Sequence, residues 1–484
     1  SSLLVAAPFL LMWGGSKFIS EWLSRPIPTA SEPVPDGDRP MIRQAALRTW
    51  RYFLEFSTPS DNWLVPDRVQ EDPRLIVHQI SPTNLGLLLN SQVAAHDLGF
   101  VTLSEFIAAA ERTLETATRM PKMNGHFYNW YNTQTLEPLP PKFVSAVDSG
   151  NLVCSLWALR QACLERKSRP LFEAAQCEGL LAHMELIDGL FDGGVSDLKV
   201  RWLVQRMKHR LKILAKSGCG WWRELPRLRR NIATLERRIR EGQPSEELLF
   251  GVNELGVRAE RLQEAAEDLA LWLGPLTAAN NLIGKAIDPP GMAGATLENL
   301  PNRLLQLAAA LGTKPDSDSL DGKAHTTADH LRDALRRSAS ICREYMARLD
   351  RLADISERLA LECDFSFLFN PTREALSIGY DTGNQRLCES CYDLMASEAR
   401  AAAFVAIAKG DIPPAAWIRL RRVQAEWNNR PVLASWTGTM FEYLMPSLWM
   451  KSYANTLLDR ASRAAIRAQQ EFARERSVPW GISE

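Results

Sequence analysis

The chain has 484 residues, enough for one large domain or two to three small ones. Lysine plus arginine and aspartate plus glutamate both number 57, so there is no global field to draw in nucleic acid. Fifteen tryptophans point towards a large helical or carbohydrate-binding protein, and eight cysteines without disulfide-like spacing point towards reduced thiols.

Residues 1–25 open with an apolar run from Leu3 to Gly15, followed by Lys17, Glu21 and Arg25. The run is shorter than the about 20 residues of a full membrane span. It has neither a basic leader nor a small-residue cleavage site. It reads as the end of a transmembrane helix of a longer protein, with a buried amphipathic helix as the alternative. Pro26, Pro28, Pro33, Pro35 and Pro40 then make 26–40 an extended linker.

From Met41 the pattern turns helical, with Ile42, Ala45, Ala46, Thr49, Trp50 and Phe53 on one face. A polar loop follows (Asp61, Asn62, Trp63, Asp67, Glu71, Asp72, His78). Ser81 or Thr83 caps a helix over Leu85 to Leu98, and Ser104 opens another to Arg119. The stretch Gly125-His126-Phe127-Tyr128-Asn129-Trp130-Tyr131-Asn132 is dense in rings and amides. Such a stretch suits either a sugar site, with amides on hydroxyls and rings on the apolar face, or a packed helix connection. Asp148 enters a helix over Leu152 to Cys163, as an N-cap, a substrate ligand or both.

Between 165 and 362 the character changes. Leu248, Val252, Leu255, Ala259, Leu262, Ala266 and Leu269 keep a four-three spacing, and Leu331, Leu335, Cys342, Leu349 and Leu352 do much the same. This predicts a helical insertion of long, antiparallel, coiled-coil-like helices. Thr313 to Thr327 is polar and reads as a loop. Lys199 to Arg240 holds fourteen lysines and arginines against Glu224 and Glu236, giving a solvated basic face or one that rests on an anionic membrane.

After Asp364 two short strands flank a turn at Asn370-Pro371, the second running from Leu376 to Tyr380. Cys388-x-x-Cys391 stands alone, with no second pair and no nearby histidine, so no metal site is expected. Glu398 then sits at the start of an alanine-rich helix, where unpaired N–H groups favour a carboxylate. From this segment alone it is a cap-like surface group or a catalytic acid.

Nine ordered motifs carry a resemblance. They are WLVPDRVQEDP (63–73), SPTNLGLLL (81–89), GHFYNWYNTQTLEPLPP (125–141), VDSGNL (147–152), DFSFLFNP (364–371), IGYD (378–381), YDLMASEARAAAFVAIAKGDIPP (392–414), SWTGTMFEYLMP (435–446) and VPWGISE (478–484). Together they resemble the middle region of cyclic β-1,2-glucan synthases, large bacterial inner-membrane enzymes. There this region lies between a membrane glycosyltransferase domain and a phosphorylase-like domain. The resemblance covers 41–164 and 364–484, and it fits the N-terminal piece as the transferase's last membrane helix.

The resemblance implies an all-α (α/α)6-toroid, with 41–164 and 363–484 as its two parts and 165–362 as an insertion. It also implies that the domain continues past Glu484. The implied activity is cyclisation of linear β-1,2-glucan by a retaining transglycosylase. An endo-β-1,2-glucanase or a non-catalytic glucan-holding module on the same scaffold is the alternative. Glu398 corresponds to the general acid/base and Glu484 to the nucleophile, with Glu442 as a rival carboxylate. Retaining enzymes place the two groups about 5–5.5 Å apart for direct protonation; enzymes of this kind relay the proton through a substrate hydroxyl, which permits a wider gap. Asp148, Asn84 and His126 are candidates for the sugar hydroxyls. Trp130, Tyr131, Tyr380, Trp436 and Trp480 are candidates for aromatic subsites that keep water out. No cofactor is implied for this region; UDP-glucose is the implied donor for the neighbouring transferase. The implied partners are the β-1,2-glucan chain, the inner membrane through the N-terminal helix, and the other domains of the same polypeptide. The soluble part would face the cytoplasm.

Overall fold

A computed structural model describes residues 2–24, 34–35, 37–191, 198–217, 221–242, 244–272, 275–276, 294–311, 322–428 and 430–481. The chain is mostly helical, with a few strands of two to four residues. It divides into a larger unit of residues 36–393 and 401–419 and a smaller one of 1–35, 394–400 and 420–484.

In the larger unit, local chemistry sets the helix starts. Ser81 and Asn84 form a reciprocal capping box ahead of the helix Pro82–Asp97, with proline in its first turn. The next helix is Leu103–Arg119, and its cap is Thr102 rather than Ser104; Thr102 and Glu105 form a second box. The helix at Asp148 starts earlier than its apolar pattern suggests, running Ala146–Arg166 from the Ser145 cap. Pro82–Asp97 packs on both Leu103–Arg119 and Ala146–Arg166, and Ala146–Arg166 packs on the long helix Gly322–Glu362. That helix begins inside the stretch expected to be a loop; 312–321 lie outside the described residues.

Ala174–Leu190, Leu198–Ser217, Leu225–Glu241 and Glu246–Leu269 pack in succession, and the last returns to the first, closing a four-helix bundle. All seven four-three positions from Leu248 to Leu269 are buried, as are Leu331, Leu335, Cys342, Leu349 and Leu352. Arg258 of Glu246–Leu269 is itself buried and donates to Phe100 O (2.6 Å) and to Glu105, fastening the bundle to the 100–105 turn.

Small residues set two close approaches. A Cβ on Gly150 would lie 2.4 Å from Ala402 Cα, so the alanine-rich helix Ala399–Lys409 rests directly on the Gly150 backbone. Gly125 has φ +77° and leaves no room for a Cβ beside Glu362 O. The expected strand pair after Asp364 takes a different form. Phe365–Leu368 is a 3-10 turn, and Phe369–Asn370 pairs with Ala375–Leu376. Gly379–Asp381 lies between Phe143–Ser145 and Arg386–Leu387. In the smaller unit, Gln424–Trp427 pairs with Arg430–Leu433, and the latter packs on the helix Leu457–Arg476. Ser2–Ser24 is a single helix; among the described residues no helix is long and apolar enough to cross a membrane. All described cysteines are free thiols.

Buried histidines make the larger unit acid-sensitive. Burial pulls His126 and His183 from 6.5 to about 4, and holds His96 well below its usual range. For His126 and His183 the unfolded chain takes up its protons below pH 6.5, whereas the folded chain does not until about 4. Their contribution is therefore intact at neutral pH and lost as the pH falls through that window. Each group costs about 2 kcal/mol between about pH 6.5 and 5. Denaturant midpoints should fall steeply from pH 7 to 5, and the fall should be shallower in His183→Gln.

Candidate functional site

In the larger unit, polar groups converge on the start of Ala146–Arg166. The Asp148 N–H donates to the capping Ser145 Oγ (3.2 Å), which fixes the carboxylate in the first turn. Thr83 Oγ1 donates to Asp148 Oδ1 (2.6 Å) and accepts from Asn151 Nδ2 (3.1 Å). The Asn129 amide bridges Asp148 and Trp130: its nitrogen donates to Asp148 Oδ2 (2.9 Å), and its oxygen accepts from Trp130 Nε1 (3.1 Å). Three of the expected residues thus lie close together. Asp148 and Trp130 are joined through Asn129, and Asn84 follows Thr83 directly. The Asn84 Oδ1 is engaged in the Ser81 cap, accepting from Ser81 N (3.0 Å) and Oγ (2.8 Å).

His126, Tyr131 and Tyr380 build the layer beneath. His126 is fully buried, with Nδ1 2.8 Å from Ser149 Oγ, which itself donates to Ser145 O (2.7 Å). Its ring meets Phe365 and Phe367 edge to face, at 4.9 and 5.3 Å between centroids. Phe367 in turn meets Tyr380 at 5.5 Å. Tyr131 is also fully enclosed; its hydroxyl donates to Pro121 O (2.5 Å) and accepts from Tyr128 N (2.8 Å). Burial raises that hydroxyl's pKa, so it stays neutral. Both side chains support the aromatic loop from inside, whereas Trp130 and Tyr380 keep partial exposure.

In the smaller unit, Glu398 is half-buried and immediately precedes Ala399–Lys409, where the helix dipole favours negative charge. Ser397 Oγ accepts from Ala399 N (3.2 Å) at the same helix start. Arg400 is 4% exposed and has three carbonyl acceptors: Ser397 O (3.2 Å), Glu442 O (3.3 Å) and Tyr443 O (3.0 Å). Burial lowers its pKa to about 10. It ties the turn that carries Glu398 to the end of the helix Met440–Leu444.

The Glu442 carboxylate is fully engaged. Oε1 accepts from Trp436 N (3.1 Å), and Oε2 accepts from Thr437 N (2.9 Å), Thr437 Oγ1 (2.7 Å) and Gly438 N (3.0 Å). Burial alone would raise its pKa, but the bonds from Thr437 and its neighbours outweigh that and lower it. Glu442 thus stays ionised as the centre of the 435–439 turn. That turn leaves the Trp436 indole 56% exposed, and Trp480 is 52% exposed. Glu484 lies outside the described residues.

Thr83, Asn129, Asn151 and Arg400 are the polar partners that motif reading passed over. Asn129 was the most legible, since it lies between rings in the amide-rich stretch. Arg400 could not be read from its codon-neighbours, because two of its acceptors lie more than forty residues away.

No protein-family model matches the chain. The cyclic β-(1,2)-glucan synthase NdvB of Rhizobium meliloti (strain 1021) is 33% identical over 482 residues. The alignment covers 99% of this chain and 15% of that protein, so the chain is related to one region of a much longer polypeptide.

Proposed function

Because the chain is related to a region of a cyclic β-(1,2)-glucan synthase, we propose that it closes linear β-1,2-glucan into rings by anomer-retaining transglycosylation. The match over 99% of this chain carries this reading. It is supported by a carboxylate, an amide and an indole held together at Asp148, Asn129 and Trp130, a combination suited to sugar hydroxyls and C–H faces.

In this reading the helices form an (α/α)6-toroid. Glu398 protonates the leaving glycosidic oxygen while Glu484 attacks the anomeric carbon, so that one C–O bond forms as the other breaks. The chain's own non-reducing-end 2-hydroxyl then attacks the glycosyl-enzyme and gives its proton to Glu398. This frees Glu484 and closes the ring. Glu442, its oxygens engaged by the 436–438 backbone, shapes the turn that presents Trp436. Trp130 and Tyr380 of the larger unit, and Trp436 and Trp480 of the smaller, are the rings offered to glucan, and Asp148, Asn84 and His126 hold or support its hydroxyl contacts. The reaction needs no cofactor in this region. UDP-glucose supplies glucose to a transferase region elsewhere in the polypeptide, which sits in the bacterial inner membrane with this part facing the cytoplasm.

Counting reducing ends tests the reaction type. Ring closure starts from one reducing end and leaves one, on the released piece, whereas hydrolysis adds one per cut. The expected result with linear β-1,2-glucan is a constant reducing-end signal while chain length falls. A signal rising with every cut would assign a glucanase instead.

A further inference from the structure

A ring-lined cavity lies in the larger unit, with none of the Asp148 network among its lining residues. It has a volume of about 540 Å³, within the about 300–1,000 Å³ of ligand pockets. Arg39–Phe56, Leu103–Arg119 and Glu246–Leu269 contribute its walls, together with Trp63. Trp50 and Phe53 stand nearly parallel, 22° apart at 6.3 Å, as a flat aromatic wall. Opposed to simple packing is Gln92, which lines the cavity and is 3% exposed. Its Nε2 donates to Thr113 Oγ1 (3.0 Å), while its Oε1 has no partner among the described residues. A buried acceptor left unpaired costs about 1–3 kcal/mol, so a donor that reached Gln92 Oε1 from the cavity side would be favoured.

The backbone at Trp63 is a second, independent observation. Asn62 and Trp63 both have positive φ (53° and 62°), which is rare for a bulky side chain. Asn62 Nδ2 donates to Thr133 O and Gln134 O (both 2.9 Å), Trp63 N donates to Thr58 O (2.8 Å), and Trp63 O accepts from Ser57 Oγ (2.9 Å). This strained turn delivers the indole to the cavity, where the Arg112 guanidinium lies 4.1 Å over it. Of the charged lining residues, Arg112 and Arg261 are offset by Glu264 and Asp268, and the third carboxylate, Glu105, is paired with the buried Arg258, so the lining favours neither an anion nor a cation.

Flat rings, an unpaired buried acceptor and balanced charge describe a site for a neutral, hydroxyl-rich chain. We propose that this cavity is a second, non-catalytic binding site for a segment of β-linked glucan, an inference that rests on the glucan reading above. Gln92 lies nine residues beyond Thr83 on the helix Pro82–Asp97, about 13 Å along its axis. A glucan seated here is therefore held at a distance from Asp148, and the two sites can take different parts of one long chain.

Calorimetric titration of the full chain with linear β-1,2-gluco-oligosaccharide tests this. Two classes of site are expected. Trp50→Ala and Gln92→Met should each weaken one class about tenfold or more, and Asp148→Ala the other. Arg112→Gln, on an exposed side chain, serves as a variant that does not depend on core packing and should weaken the same class as Trp50→Ala. A single class of site that Asp148→Ala abolishes and the cavity variants leave unchanged would overturn the second site while the function stands. No binding of the glucan at all would overturn both.

Discussion

Replacement of Glu398 by glutamine is expected to lower the rate of ring formation from linear β-1,2-glucan by about 10²–10⁴-fold, the usual contribution of a positioned general acid/base. The substitution keeps the size and shape of the side chain and removes its transferable proton and its charge. Glu398 is half-buried and immediately precedes Ala399–Lys409. If it were only a cap-like group, its loss would cost about 0.3–1 kcal/mol of helix stabilisation, with turnover nearly intact. Rate and thermal midpoint measured on the same preparation separate the two roles. A collapse in rate with an unchanged midpoint is the expected pair. An unchanged rate with a lowered midpoint would return Glu398 to a structural role.

The second large effect is on stability. Arg400→Met should destabilise the smaller unit by about 2 kcal/mol, because of its three carbonyl acceptors Ser397 O keeps the Arg400 backbone N–H (3.3 Å) while the other two lose the guanidinium at about 1 kcal/mol each. That is a large share of the about 5–15 kcal/mol that holds a typical domain together. Two of those carbonyls, on Glu442 and Tyr443, belong to the last turn of Met440–Leu444, where helix oxygens have no internal partner. Arg400→Lys keeps the charge but not the planar fork, and should fall between wild type and Arg400→Met. Denaturant titration followed through tryptophan fluorescence reads this directly, since Trp436 and Trp449 lie in the same unit. A midpoint unmoved in Arg400→Met would show that these bonds carry no weight.

Much of the helical scaffold was legible in the sequence. The Ser81 cap, the four-three apolar spacing of Glu246–Leu269 and the strand-forming residues near Tyr380 all rest on local chemistry. The start of Ala146–Arg166 was harder to place, because Asp148, Ser149, Gly150 and Asn151 are poor helix formers by propensity. They occupy a first turn here because Ser145 caps it and Ala402 packs onto Gly150. Which way rings face in the 125–132 stretch was not readable either. Its strands are two residues long, too short for alternation to separate the enclosed Tyr131 from the part-exposed Trp130.

The Glu442 arrangement did leave a signal. Thr439-x-x-Glu442 has the spacing of a capping box, and Gly438 with φ +77° supplies the turn that aims N–H groups back at the carboxylate. The cavity at Trp50 left none, because its walls come from residues as far apart in the chain as Trp50 and Asp268.

Mass spectrometry of the products formed from linear β-1,2-glucan bears most directly on the central claim. A closed ring is lighter by one water than a linear chain of the same glucose count, so the two products separate by mass. Wild type is expected to give the lighter series and Glu398→Gln to give almost none. Linear products alone from wild type, or rings undiminished in Glu398→Gln, would contradict it.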